Sequence, residues 1–406
     1  MPAPTKSFAD ADYPADPYPG ASPDCSFVHL DGVGHPLTPD PAGYSGWRLG
    51  TADSPTPDAP DLDGWLADLG APPLAARVPV LSYGSNRCPS KITWLREQLG
   101  LTGPVVVLDA VTEGVAAVWA AGLRVRDGQR PAVLAAAPGV TERHAVWLAT
   151  IDQVAVLDRC EGRGERYRLA RLRTGRVRTE DGAVIERPWC YLAAGPRRAP
   201  LLVAGPARRR AARPVPLLVA GRPDVIGMPV RCAELDQRAA RALVGTPADG
   251  DGLDADTVSG APHPDEWPDV LFGYGLLQPG RDGWPLVAPH AVGPSRPVHA
   301  RGSWYDTGLG WPAMLLGDHP DVPGSLTRLR GPVSLLAALD AYEGADYRRV
   351  RLTLPVDGTV TWAYVWADDR RGLRALPPAD VVADVTAGMP EISDPRSGER
   401  GGETTG

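Results

Sequence analysis

The chain has 406 residues, 43% of them hydrophobic and 22% charged, which is enough to bury ordinary globular cores in two or three domains. A net charge of −7 argues against a general nucleic-acid binder. No apolar run approaches membrane-spanning length, and Met1 to Asp12 lacks a basic stretch leading into an apolar one, so a cytoplasmic protein with neither a nucleic-acid nor a membrane partner is expected.

Residues 1–76 are rich in Pro, Asp and Gly and read as a segment without a fold of its own, with a linker at Ala52 to Asp63 and a helical turn near Asp63 to Leu69. The first ordered unit is expected over residues 77–195. Val78 to Ser82 reads as an apolar strand, and Pro89 to Leu99 as a helix capped by Ser90 and stopped by Gly100. Val105 to Leu108, Gly114 to Trp119, Ala132 to Ala136 and Ala145 to Thr150 read as strands, Asp152 to Cys160 as a second helix, and Tyr167 to Leu172 and Trp189 to Ala193 as further strands. Residues 196–268 read as a linker. It carries Leu-Leu-Val-Ala-Gly twice around the arginines Arg208, Arg209, Arg210 and Arg213, and a short helix within Cys232 to Val244. A second unit is expected over residues 269–368, with strands at Val270 to Gly273, His299 to Tyr305, Ala313 to Leu316, Arg348 to Leu354 and Thr361 to Trp366, and a helix at Val333 to Tyr342. Residues 369–406 read as a disordered tail.

Five scattered cysteines without a CxxC pair, and seven histidines without metal-ligand spacing, call for no metal, disulfide framework or cofactor. Cys88 and Cys160 each adjoin a motif and could approach one another. The basic residues are arginines except for Lys6 and Lys91.

One pattern occurs twice. Tyr83-Gly84-Ser85-Asn86 follows the Val78 to Ser82 run, and Leu157-Asp158-Arg159-Cys160-Glu161-Gly162 follows later, with Tyr167 just beyond. Tyr274-Gly275-Leu276-Leu277 opens the second unit, and Leu339-Asp340-Ala341-Tyr342-Glu343-Gly344 with Tyr347 closes it. A strand ending in a glycine turn exposes backbone N–H groups to an anion or a developing oxyanion. A lone glutamate at the end of an apolar helix sits where burial raises its pKa, as a general base requires. A single Gly-Ser-Asn turn or Glu-Gly helix end is more often structural; the repetition is what gives the pair weight.

These residues resemble the gamma-glutamylcyclotransferase-like family. The second unit is similar to its gamma-glutamylamine cyclotransferase branch, through Gly302-Ser303-Trp304-Tyr305-Asp306-Thr307-Gly308, Trp311-Pro312-Ala313 and Leu339 to Arg349; the first unit matches at its loop and its acid. The resemblance implies an α+β fold of two tandem small mixed β-barrel domains with Pro/Gly-rich flanks and linker. It also implies a reaction: the α-amine of a γ-glutamyl small molecule attacks its own γ-carbonyl and releases 5-oxoproline, without a cofactor. Glu161 and Glu343 would be the catalytic bases. Tyr83, Gly84, Ser85, Asn86 and Tyr167 in one unit, and Tyr274, Gly275, Leu276, Leu277 and Tyr347 in the other, would hold substrate. Intramolecular ring closure draws on positioning, worth on the order of 7–11 kcal/mol in favourable cases. Leu276 stands where the family carries Ser or Thr, which leaves open a unit that binds γ-glutamyl compounds without turnover; the amine side of the pocket is built from variable loops, which leaves open sites that cut another amide.

Overall fold

The computed structural model describes residues 6–50, 60–203, 228–229, 231–319, 322–367 and 372–376. They divide into two compact units, one drawn from Met1–Asp40 and Trp47–Pro264, the other from Pro41–Gly46 and Asp265–Gly406. Both are mixed α+β.

The main sheet of the first unit runs in the order Phe8–Ala9, Val33–Pro39, Phe27–Leu30, Val105–Trp119, Ala132–Ala149, Val78–Ser82, Trp189–Ala193, Tyr167–Leu172 and Ala255–Thr257. Its two end strands do not pair with each other, so the sheet is open and not the closed barrel expected from the sequence. The four strands expected between Val105 and Thr150 are two long ones forming a single antiparallel ladder, irregular between Glu113 and Val115, where Gly114 takes a positive φ of 80°. Val78–Ser82 is buried along its whole length, which fits a strand covered on both faces.

The Pro89–Leu99 helix forms as expected and ends at Gly100 in the left-handed conformation. Its cap is not Ser90. Cys88 holds that position, Pro89 starts the helix, and the Ser90 hydroxyl donates instead to the Asp10 carbonyl, 2.7 Å. The Ile151–Glu161 helix starts at Thr150, which forms a capping box with Gln153 and buries Val154, Val156 and Leu157 against the sheet. The first fifty residues carry strands: Phe27–Leu30 pairs with Val105 to Val107 and buries Phe27 and Val28. Leu201–Val203 is a strand, and within Cys232 to Val244 only Gln237–Arg241 is helical, capped by Asp236. The second Leu-Leu-Val-Ala-Gly copy and Arg208 to Arg213 lie outside the described residues.

In the second unit a five-stranded sheet runs Arg296–Ala300, Val322–Arg328, Val270–Gly273, Val360–Trp366, Tyr347–Thr353, and a separate sheet joins Pro312–Leu315, Ser303–Asp306 and Arg374–Ala375. Neither closes into a barrel. The expected strand His299 to Tyr305 is two strands, broken at Gly302. Val322–Arg328, unforeseen, is an interior strand between Arg296–Ala300 and Val270–Gly273. The expected disordered tail, residues 369–406, lies outside the described residues except for 372–376, of which Arg374–Ala375 pair with the Ser303–Asp306 strand.

One arrangement is common to both units. In the first, Val78–Ser82 lies antiparallel to Ala132–Ala149 and parallel to Trp189–Ala193, which is antiparallel to Tyr167–Leu172. In the second, Val270–Gly273 lies antiparallel to Val322–Arg328 and parallel to Val360–Trp366, which is antiparallel to Tyr347–Thr353. In each, a helix ending in the motif glutamate directly precedes the last of these strands, Ile151–Glu161 in one and Pro332–Glu343 in the other.

Candidate functional site

The strand ending at Ser82 delivers Tyr83 to Asn86, and the helix ending at Glu161 delivers its carboxylate to the same place. Asn86 Nδ2 donates to Glu161 Oε1 at 2.8 Å. Tyr83, Gly84, Ser85, Asn86, Glu161 and Tyr167 all line one cavity of about 970 Å³, at the upper end of the usual size for small-molecule sites.

Four of these residues, Tyr83, Asn86, Glu161 and Tyr167, are held by hydrogen bonds. The Asn86 carbonyl accepts from Trp147 Nε1 at 2.8 Å, which fixes the turn. Tyr83 donates its hydroxyl to the Tyr191 carbonyl, and Tyr191 donates to Asp158 Oδ1 at 2.7 Å. Tyr167 donates to the Ala132 carbonyl at 3.3 Å. Among the described residues no protein acceptor takes the backbone N–H groups of Gly84, Ser85 or Asn86. A turn of three such donors at the cavity edge can receive a carboxylate or a developing oxyanion.

Glu161 has its carboxyl pKa raised by burial, opposed by the Asn86 hydrogen bond and by the charges of Lys91, Arg166 and Arg198. It is half-buried rather than sealed, because its open side faces the cavity while protein packs around the rest. A desolvated carboxylate is a stronger base than one in water. Burial lowers the Lys91 pKa, and its ammonium lies 3.4 Å from the centre of the Trp94 ring.

Tyr18, Lys91 and Tyr191, which also line the cavity, are missing from the sequence-based site. Lys91 carried one signal, being one of two lysines in a chain otherwise supplied with arginine. The Cys88 thiol donates to the Tyr13 carbonyl, and Cys160 lines the cavity. Both are free thiols.

The second unit repeats the scaffold around much less space. Tyr274 donates to the Tyr364 carbonyl at 2.7 Å, and Tyr364 donates to Asp340 Oδ1 at 2.8 Å, as Tyr83, Tyr191 and Asp158 do in the first unit. The motif aspartate in each unit therefore ties the helix to the parallel strand pair. Tyr274, Leu276, Leu277, Glu343 and Tyr347 line a cleft of about 30 Å³, room for about one or two waters and not for a glutamyl group. Pro312 covers the turn: a Cβ on Gly275 would stand 2.6 Å from Pro312 Cγ, and Tyr347 donates to the Pro312 carbonyl at 2.8 Å.

Among the described residues no group of three or more His, Cys, Asp or Glu is placed to hold a metal ion, and no helix is long and apolar enough to cross a membrane.

Residues 271–380 match the model of a family described as gamma-glutamyl cyclotransferase, AIG2-like. The match covers the second unit's motifs and about a quarter of the chain. No curated protein matches the chain. Among solved structures, the crystal structure of uncharacterized protein PH0828 from Pyrococcus horikoshii is similar at 12% identity, over 26% of this chain and 84% of that one, with a TM-score of 0.22. At that score the likeness carries no argument.

Proposed function

We propose that this chain is a cyclotransferase-type enzyme that releases 5-oxoproline from a γ-glutamyl amide, and that its working site is the cavity of the first unit. The observation that carries the reading is the Glu161 carboxyl, raised in pKa and held by Asn86 beside a turn of unpaired N–H donors in a cavity of about 970 Å³. The family match, which falls on the second unit, supports the reaction class. The shared strand order and the shared Tyr–Tyr–Asp chain support reading the first unit as a tandem copy of it.

The substrate's α-ammonium gives a proton to Glu161, because only the free amine carries a lone pair. The amine nitrogen then bonds to the γ-carbonyl carbon, and the oxyanion forms against the N–H groups of Gly84 to Asn86. Collapse breaks the amide C–N bond. The leaving nitrogen takes up the proton held by Glu161, the carboxylate so freed removes the second proton from the ring nitrogen and passes it to the departing amine, and 5-oxoproline remains. Tyr83 and Tyr167 wall the glutamyl group.

The second unit is best read as a closed, non-catalytic copy. Its cleft is about 30 Å³ and Pro312 sits on the turn that would hold substrate.

The test is 5-oxoproline release from a panel of γ-glutamyl amino acids and amines. Release by the wild-type protein, lost in Glu161→Gln, supports the reading. A panel with no turnover, or one unaffected by the substitution, sinks it.

A further inference from the structure

The cavity of the first unit is far more cationic than the chain around it. Among the described residues, seven basic side chains line it against two carboxylates, those of Glu161 and Glu165, in a protein of net charge −7. A γ-glutamyl group needs one cation at most for its α-carboxylate, so most of this charge lies beyond what the glutamyl end requires.

Four of the seven sit on two turns joined to each other. Arg124 and Arg126 lie on the turn after Ala121, and Arg197 and Arg198 on the turn before Ala199. The Ala121 N–H donates to the Ala199 carbonyl and the Gly122 N–H to the Arg197 carbonyl, each at 2.8 Å. Glycine at 122 permits that approach, since a Cβ there would stand 2.7 Å from the Arg197 carbonyl oxygen. The two turns thus form one wall.

The acid available to that wall is limited. Asp127 accepts two bonds from Arg124, at 3.0 and 2.7 Å, and lies 3.5 Å from Arg126. Arg124 also lies over the Tyr18 ring, its guanidinium 4.6 Å from the ring centre. The Arg198 guanidinium lies 5.8 Å from the centre of the Tyr167 ring, its charge acts on Glu161, and its Nε is buried without a partner among the described residues. A buried donor without an acceptor is costly unless a ligand supplies one.

We propose that the amine portion of the substrate carries a dianionic group, a phosphate monoester or a pair of carboxylates, received by the wall of Arg124, Arg126, Arg197 and Arg198. Guanidinium forks match both groups in geometry and charge. This inference rests on the cyclotransferase reading for the word substrate, but the binding it predicts does not depend on turnover. The release step is unchanged: the C–N bond breaks, the amine nitrogen takes the proton from Glu161, and the dianion leaves with the amine.

The test has a binding arm and a turnover arm. By titration calorimetry on the full chain, O-phosphoethanolamine and aspartate are each compared with ethanolamine at low and high salt. The wall predicts binding at least about tenfold tighter for one of the two anionic amines, weakening as salt rises; which one wins names the group. Equal binding of all three, or indifference to salt, overturns the inference whether or not the enzyme turns anything over. In the turnover arm, kcat/KM for the γ-glutamyl derivatives follows the same order, and Arg126→Gln/Arg198→Gln narrows the ratio. Turnover that favours the neutral amide overturns the inference and leaves the cyclotransferase reading standing. Absence of all turnover, with selective anion binding, sinks that reading and leaves the wall.

Discussion

Removing the Asn86 side chain as Asn86→Ala perturbs the base without touching it. The Asn86 amide donates to Glu161 Oε1 at 2.8 Å and is among the influences that keep the carboxyl from rising further in pKa. A hydrogen bond to a charged group is worth about 1.5–3 kcal/mol. Glu161 faces an open cavity where water can replace part of the lost bond, so the lower end applies. With the bond gone the carboxyl pKa moves up. In the proposed reaction Glu161 must be deprotonated to accept the α-ammonium proton, so the acid limb of the rate profile moves to higher pH. On that limb the deprotonated fraction, and with it kcat/KM, falls about tenfold. Well above the limb the loss is smaller, because the base is ionised in both proteins. The assay is 5-oxoproline release across pH for wild type and variant, with a melting curve to show that both fold. An acid limb that stays in place or moves to lower pH would refute the assignment of Glu161 as the base that Asn86 tunes.

Two further predictions concern stability. His29 is fully buried, neither ring nitrogen has a hydrogen-bond partner among the described residues, and burial lowers its pKa from 6.5 to about 4. A depressed histidine contributes stability that is present above pH 6.5 and lost as pH falls towards 4, on the order of 3 kcal/mol in all. His29→Leu should therefore flatten the fall in melting temperature between pH 7 and pH 4.5; an unchanged slope refutes the attribution. Gly175→Ala should destabilise the first unit by about 2 kcal/mol or more, because φ is +79° there and a Cβ would stand 2.5 Å from the Glu113 carbonyl oxygen. Chemical denaturation measures it, and a neutral effect would show that the turn can relax.

The parts of this fold legible in the sequence are those whose burial is local. Val78–Ser82, Pro89–Leu99 and Trp189–Ala193 fall where the apolar runs and the helix punctuation place them. The N-terminal strands were hidden because Pro, Asp and Gly surround them, and Phe27–Leu30 joins the main sheet by pairing with a strand some eighty residues away. Val322–Arg328 was hidden by its Pro323 and Gly324. Gly324 is needed because the Phe272 ring lies across it, with Cε2 2.5 Å from where a Cβ would stand. The polar middle of the Val105–Trp119 strand, Thr112 and Glu113, made one strand read as two.

At the site, the Tyr-Gly-Ser-Asn turn and Glu161 were legible because each is a short motif with its own chemistry. The arginine wall was not. Its two turns are about seventy residues apart in sequence and meet only through the backbone bonds between residues 121–122 and 197–199. Nor was the difference between the units. Both carry a loop and an acid, and what separates them is Pro312 on Gly275, which no spacing reveals.

The most direct test of the account compares 5-oxoproline release by wild type, Glu161→Gln and Glu343→Gln on the same γ-glutamyl amide. The account predicts a loss of at least about a hundredfold for Glu161→Gln and a rate near wild type for Glu343→Gln. Loss confined to Glu343→Gln would place the chemistry in the second unit and contradict it.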